Sequence, residues 1–267
     1  MRNQVKILKI GGSVVTYKDK DSTLNVDVLK HIAQDISLWL KKNHSSRLVF
    51  TSGAGSFGHP LAHKYQLNAE TSQKDPFGFV LTTTNMQDMA NRIARVFHSY
   101  KVPLFPIMSS SIFKTDKGRI ISAYIDTIGE ALNRGLTPFL WGDTVIDKSH
   151  TFRILSGDQI NPYLVEHLGV KELYFGTNVD GIYESDPRKN NNAVHIDEIN
   201  DNNYKSILSS ITESGSLDVT KGMRGKIEEI YQIKVRPLKC VIFNALLKGN
   251  TYKALSGQTI GTQIIFK

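Results

Sequence analysis

Two glycine-rich turns carry the residues whose types and spacing could do chemistry. In KILKIGGSVVTYK, Lys9 ends a short apolar run, Gly11, Gly12 and Ser13 follow it, and Lys18 stands a few residues beyond. In SGAGSFGHP, Gly53, Gly55 and Gly58 alternate with Ala54, Ser56 and Phe57, and the turn closes on His59 and Pro60. Glycine permits positive φ and lets an anion approach the backbone closely, so consecutive N–H groups can converge on a phosphate. Each turn follows a strand-like run, and α/β folds place ligands where their strands end. No Lys-[ST] pair closes either turn, and neither matches GxGxxG with a following acidic residue, so a P-loop and a dinucleotide fold are disfavoured. Lys9 by itself reads two ways, as a phosphate ligand or as an edge-strand lysine whose ammonium snorkels to water.

Strands are expected near Lys6 to Ile10, Arg47 to Thr51, Leu104 to Ile107, Thr137 to Trp141, Lys171 to Phe175 and Lys239 to Phe243. Amphipathic segments lie between them, such as VDVLKHIAQDISLWLKK with Val28, Ile32, Ile36, Leu38 and Leu40 at near-helical spacing. Strands alternating with helices predict an α/β fold with a mainly parallel sheet. IFKTDKGRIIS and TVIDKSHTFRIL read as two hairpins. NAETSQKDPFG reads as a flexible or lid-like connection, and DPRKNNNAVHIDEINDNN as a solvated loop. A soft boundary near Thr177 divides the chain into residues 1–176 and 177–267.

With 267 residues and 40% hydrophobic content, the chain can bury a full core. No apolar run is long enough to span a bilayer, and the first ten residues are too interrupted by charge for a secretory leader, which predicts a cytoplasmic protein without a membrane partner. The single cysteine, Cys240, lies in the apolar run LKCVIF and reads as strand packing in a reducing compartment. Thirty-three Lys and Arg against 25 Asp and Glu give a formal charge of +8, which concentrates anions near the surface. The basic residues are scattered, without a recognition-helix, zinc-finger or RNP-type pattern, which counts against nucleic acid; small phosphorylated substrates would profit from the same field, and a merely solubilising charge excess reads equally well from composition alone.

The runs KIGGSVVTYK, SGAGSFGHPLAHKYQL, WGD, SGDQ, GTNVDGIYESDP and DVTKGMRGK, ordered from Lys6 to Lys226, resemble the amino acid kinase superfamily. SFGHP with the downstream AHKYQL resembles its isopentenyl phosphate kinase branch. The resemblance implies a three-layer α/β/α sandwich, ATP as co-substrate, Mg²⁺ held through the ATP phosphates without a protein metal cage, and a homodimer. It implies an acceptor-binding and phosphoryl-transfer lobe over residues 1–176 and a nucleotide-binding lobe over 177–267, sharing one sheet. Phosphoryl transfer to an anionic acceptor brings two charged groups together, so positioning and charge neutralisation carry most of the catalysis.

On that resemblance Lys9, Lys18, His59, Asp158 and Lys226 are the catalytic set. Gly11, Gly12 and Ser13 supply amides to the nucleotide, with Asp180, Gly181 and Tyr183 near the base and Gly222 and Met223 beside Lys226. Gly53, Ala54, Gly55, Ser56, Gly58, His59, Gly142 and Asp143 hold the acceptor. Lys226 is expected in the first turn of a helix starting GKIEEIY, where the helix's positive end would act with it on phosphate. Asp158 either orients the lysines or serves as an N-terminal helix residue, and both roles are compatible; Asp143 either holds the acceptor side or is a turn residue. A phosphate monoester with a second pKa of about 6 is already an ionised nucleophile near neutrality, so His59 is expected to donate a hydrogen bond and not to remove a proton. His31, His44, His63, His98, His150, His167 and His195 read as surface residues.

The sequence departs from the family pattern at Thr51 and Ser52, at Ala54, whose Cβ narrows the choice of φ, at Asn178 and at Lys221. Phe77, Phe79, Val80 and Met86 are expected either to wall a short prenyl pocket or to pack a helix on the core. The activity implied is phosphorylation of isopentenyl phosphate to the diphosphate. The alternatives are a same-fold kinase for another small phosphate, phosphonate or carboxylate, such as fosfomycin, and a non-catalytic nucleotide-binding homologue.

Overall fold

The computed structural model describes residues 4–70, 75–185, 187, 190, 192–213 and 219–267, the side chains of 212, 213 and 219–221 excepted. In β1 (Gln4–Ile10) the two-residue alternation of a strand sends Ile7 and Lys9 to one face, and Leu8 and Ile10 to the other. After the short turn α1 (Gly12–Val15) come α2 (Val26–Lys42), β2 (Ser46–Ser52), α3 (Gly55–Lys64) and α4 (Pro76–Ser99). Then follow β3 (Leu104–Pro106), α5 (Ser109–Ile112), the hairpin β4 (Phe113–Asp116) and β5 (Arg119–Ala123), and α6 (Asp126–Asn133). β6 (Thr137–Trp141) leads into a second hairpin, β7 (Asp143–Asp147) and β8 (Thr151–Leu155), and then into α7 (Gly157–Leu168). The remainder runs β9 (Glu172–Thr177), β10 (Ile182–Tyr183), β11 (His195–Ile196), β12 (Glu198–Asn200), α8 (Tyr204–Glu213), α9 (Val219–Tyr231), β13 (Leu238–Asn244), α10 (Asn250–Leu255) and β14 (Thr262–Phe266).

Among the described residues eight strands form the central sheet, in the order β12-β14-β13-β9-β1-β2-β6-β3. Every neighbouring pair is parallel except β13 with β14. The expected strands are all present, and the α/β class holds. β14 and β12, which extend the sheet past β13, carry no expectation from sequence. The two hairpins form a separate four-stranded sheet, β5-β4-β7-β8, which leans over the end of α7.

Each face of the central sheet is covered by helices. On one side α2, α4 and α10 bury Ile32, Ile36, Trp39, Met89, Ile93 and Leu255 against Leu8, Phe50, Phe139 and Tyr174. On the other, α6, α7, α8 and α9 bury Ile128, Leu164, Ile211, Ile227 and Ile230 against Ile7, Val49, Phe175, Cys240 and Ile242. Full burial of side chains such as Phe50, Phe139 and Phe175 contributes roughly 1.5–3 kcal/mol each. The apolar stripe of α2 corrects the expected one: Leu29, Ile32, Ala33, Ile36 and Trp39 face the core, whereas Leu38 is exposed and Val28 and Leu40 are only half-buried. The difference is one of phase, because Leu38 lies two residues from Ile36, on the far side of a 3.6-residue turn.

Candidate active site

The C-terminal ends of β1, β2 and β6 converge, and their turns enclose a cavity of about 940 Å³. Its lining brings together Lys9, Gly12, Ser13, Lys18, Gly53, Ala54, Gly55, Ser56, Gly58, His59, Gly142, Asp143, Asp158 and Gly222. Gly11, Lys226, Met223, Asp180, Gly181 and Tyr183 lie outside that lining.

The electrostatic centre of the cavity is a carboxylate shared by two lysines. Lys9 Nζ lies 2.6 Å and Lys226 Nζ 2.5 Å from the same oxygen, Oδ1 of Asp158. Both lysines are nearly enclosed, at 6% and 8% exposure. They cap the ring of Phe175, with Nζ of Lys226 at 4.7 Å and that of Lys9 at 6.0 Å from its centroid. Strand register explains the meeting: Lys9 pairs with Phe175 across β1 and β9, so both side chains point toward α7 and α9. Gly157 leaves the passage for Lys9, since a Cβ there would stand 3.2 Å from Cε of the lysine. Burial, with the neighbouring Lys226 charge, lowers the Lys9 pKa to about 8, although Asp158 partly restores it. Burial alone would raise the Asp158 pKa, but Lys226 and then Lys9 hold it well below the usual carboxylate range. Two ammonium groups on one carboxylate leave a net positive charge for an incoming anion.

Asp158 fills both of its expected roles: it stands in the first turn of α7, behind Ser156 as N-cap, and it gathers the lysines. Lys226 requires a correction. α9 begins at Val219, so Lys226 sits about two turns inside the helix and not at its positive end. What Lys226 offers is therefore a side-chain charge without the helix's positive end, and Gly222, nearer the start of α9, borders the cavity instead. Met223 packs against the core beneath α9.

The two glycine turns stack backbone on backbone. A Cβ on Gly12 would meet Gly55 N at 2.5 Å, and one on Gly53 would meet Gly12 N at 2.6 Å. Several expected amide donors are already committed: Gly11 N–H donates to the Gly176 carbonyl (2.8 Å), Gly53 N–H to Ile10 (3.0 Å) and Gly142 N–H to Ser52 (3.0 Å). These amides continue the sheet's ladder and correct the expectation that Gly11 donates to phosphate. Gly12 and Ser13, at the start of α1, keep amides that the helix itself does not use. Ala54 causes no strain, because it adopts an ordinary right-handed conformation (φ −71°, ψ −32°) as N-cap of α3. Its Cβ instead explains Gly58, where an added Cβ would stand 2.7 Å from it and 3.0 Å from Met86 Sδ.

His59 lies on α3 at the rim, and burial, reinforced by the Lys18 charge, lowers its pKa. The imidazole is accordingly neutral at neutral pH and carries one N–H to donate. Lys18 is exposed on the loop that closes over this side. Asp143 borders the cavity but is only 3% exposed. Its Oδ1 accepts the Thr144 N–H (2.8 Å), its enclosed Oδ2 has no well-formed hydrogen bond among the described residues, and burial, opposed by the nearby Thr144 and Ser110 donors, raises its pKa to about 7.

Among the residues expected near the base, Asp180 Oδ1 accepts from Asn244 Nδ2 (3.1 Å), and Tyr183 packs edge-on against His195 (5.1 Å). Gly181 is a packing glycine, whose Cβ would collide with His195 and Thr262. The Lys221 side chain, residues 71–74 of the lid-like connection and Asp186, Arg188, Lys189 and Asn191 of the solvated loop lie outside the described residues. Of the four expected pocket residues only Met86 reaches the cavity, joined by Ala62, Thr82, Ile154 and Leu155. Phe77 and Val80 are exposed, and Phe79 stacks on Phe152 (4.5 Å), because α4 turns that face outward. His31, His150 and His195 are half-buried, unlike the surface residues expected. Sequence reading missed Thr16, Phe175 and Gly157; alternation with Leu8 and Ile10 could have pointed Lys9 toward the α7 side, but nothing local marked its partners.

Parallel strands ending in two stacked glycine turns, with paired lysines on a carboxylate, define a small-molecule phosphotransferase site. The sequence profile of the amino acid kinase family matches residues 4–244, and the chain belongs to that family. Similar over nearly their whole lengths are isopentenyl phosphate kinases of Methanothermobacter thermautotrophicus, 33% identical over 98% of this chain and 99% of that one, and of Methanocaldococcus jannaschii, 35% identical over 97% and 98%. A crystal structure of an isopentenyl phosphate kinase superposes with a TM-score of 0.84 at 30% identity, covering 98% of this chain and 100% of that one. An N-acetylglutamate synthase structure (TM-score 0.71, 16% identity) shares the fold.

Proposed function

We propose that this kinase transfers the γ-phosphoryl group of ATP to isopentenyl phosphate, giving the diphosphate. The observation that carries the reading is the convergence of Lys9 and Lys226 on Asp158 in the cavity that also holds both glycine turns and His59. The lysines offset the charge of the β- and γ-phosphates, Gly12 and Ser13 present amides to them, and Lys18 meets the transferred group from the acceptor side. The phosphate of the acceptor lies at the start of α3 beside His59, and its short apolar tail against Met86, Ala62 and Ile154. The acceptor is already an ionised nucleophile near neutrality, so the neutral His59 acts as a hydrogen-bond donor to charge that develops on it.

Residues 1–176 hold the acceptor and the transfer site, and residues 177–267 the adenosine part of the nucleotide, with Asp180 and Tyr183 at its border. Among the described residues no group of three His, Cys, Asp or Glu side chains is placed to hold a metal, and both lysines occupy one oxygen of Asp158. On this reading Mg²⁺ comes with the nucleotide, held by its phosphate oxygens and water. Among the described residues no helix is long and apolar enough to cross a membrane; a cytoplasmic homodimer acting on a small phosphorylated substrate, and not on nucleic acid, completes the reading.

The test is ADP release with isopentenyl phosphate, dimethylallyl phosphate, fosfomycin, aspartate and acetylglutamate as acceptors. Isopentenyl phosphate is expected to give the highest kcat/KM, and preference for a polar acceptor, or ATP binding without turnover of any, would overturn the assignment. His59→Gln is expected to retain about tenfold more activity than His59→Ala, since the amide can still donate. Equal, near-complete loss in both would identify a proton-transfer role instead.

A further inference from the structure

Thr16 stands where the two glycine turns and the Lys18 loop meet. It is the C-cap of α1, 2% exposed, and its backbone N–H donates to the Gly12 carbonyl (3.0 Å). Its hydroxyl donates to that same carbonyl (2.8 Å) and accepts the N–H of Ser56 (3.0 Å), in the first turn of α3. One side chain thus ties the nucleotide-side turn to the acceptor-side turn, using a hydroxyl as donor and acceptor at once. Ser56 returns the connection, its Oγ accepting the N–H of Thr23 (3.4 Å), while Thr16 and Leu24 form an antiparallel bridge at the base of the loop that carries Lys18. The bond also consumes an amide that the start of α3 would otherwise offer to an anion. Gly55, at φ +51°, is the neighbour that makes room, because a Cβ there would collide with the Thr16 hydroxyl.

We propose that Thr16 is a positioning residue whose hydroxyl fixes the separation of the two glycine turns, and with it the distance between the transferring phosphoryl group and its acceptor. The proposal rests on the kinase reading of the cavity. Each turn keeps its own contacts to its own anion when the hydroxyl is removed; what is lost is their spacing. The chemical step, and not the binding of either substrate, carries the penalty, as misplacement of about 1 Å in a reacting pair costs on the order of 10²-fold.

Thr16→Val keeps the shape and deletes the hydroxyl; Thr16→Ser keeps the hydroxyl and deletes the methyl. With the acceptor that the wild-type enzyme turns over best, T16V is expected to lose about 10- to 100-fold in kcat, with KM for ATP and for acceptor each within about threefold, and T16S to stay within about threefold of wild type throughout. A T16V kcat above half that of wild type, a loss confined to KM, or equal losses in both variants would overturn the proposal. Hydrogen exchange of the wild-type Ser56 amide tests the bond itself without any variant: slow exchange is expected, and exchange at the rate of an unstructured amide would overturn it. Because the kinetics use whichever acceptor works, failure with isopentenyl phosphate removes the substrate assignment and leaves the Thr16 comparison standing.

Discussion

Asp158→Asn is expected to lower kcat by roughly 10²–10³-fold, the scale on which enzymes lose rate when a charge-positioning group in the site is removed. In the native protein one carboxylate oxygen holds Lys9 at 2.6 Å and Lys226 at 2.5 Å. An amide in its place gives both ammonium groups at most a weaker, neutral acceptor, and their mutual repulsion then drives them apart. The substitution also acts through protonation. Burial already lowers the Lys9 pKa to about 8, and Asp158 is the strongest influence opposing that fall. Lys9 is charged below its pKa and neutral above it, so removing the carboxylate moves its loss of charge to lower pH. The alkaline limb of kcat/KM for ATP, expected near pH 8 in the wild-type enzyme, should therefore shift downward in D158N. A pH profile measured on both proteins decides it: an unmoved limb with less than about a fivefold loss of rate would mean that the lysines are held by something else.

The second large effect is expected from Gly12→Ala. The missing Cβ is required by backbone, since the new atom would lie 2.5 Å from Gly55 N and 2.8 Å from Gly55 Cα. Ordinary van der Waals contact begins about 1 Å farther out, so the two turns must separate by a comparable amount. On the proposed reading one turn faces the nucleotide and the other the acceptor, so their separation would widen the gap that the phosphoryl group must cross. A loss of about 10²-fold or more in kcat is expected, with the cores on both faces of the sheet untouched and far-UV circular dichroism unchanged. Gly135→Ala is the contrasting control. Gly135 also has positive φ, but no atom of the described residues lies within 4 Å of a Cβ there, so the change is expected to strain one surface turn and leave catalysis alone. Near-normal turnover in G12A would show that the close approach of the turns is not needed for transfer.

Both effects depend on residues whose importance is visible to different degrees in the amino-acid order. The glycine turns, the six strands that carry them and the two hairpins are local features: apolar runs punctuated by Gly and Asp-Lys-Gly produce them through backbone preferences alone. The membership of Lys9, Lys18, His59, Asp158 and Lys226 in one group comes from motif order, and the structure brings four of them to the cavity lining and ties Lys226 to Asp158. The stripe expected on α2 is out of phase because a few apolar residues at loosely helical spacing fit more than one face, and only packing against β1, β2 and α4 selects Trp39 over Leu38. α9 starts earlier than the expected GKIEEIY, at Val219, and runs through Gly222 and Gly225.

From the amino-acid order alone come the alternation of strands and helices, the two anion-ready turns at strand ends, and the inventory of lysines and acids that a phosphoryl transfer needs. These follow from φ preferences, two- and 3.6-residue periods and formal charge, all properties of short stretches of chain. Tertiary structure decides the rest: that Lys9 and Lys226 share one oxygen, that Phe175 lies beneath them, that the Gly11, Gly53 and Gly142 amides are spent within the sheet, and that Thr16 joins the turns. Each of these is a contact between residues 40 to 166 positions apart or a competition for one hydrogen bond, and such pairings exist only once the parallel strands have set the register that brings the groups within reach.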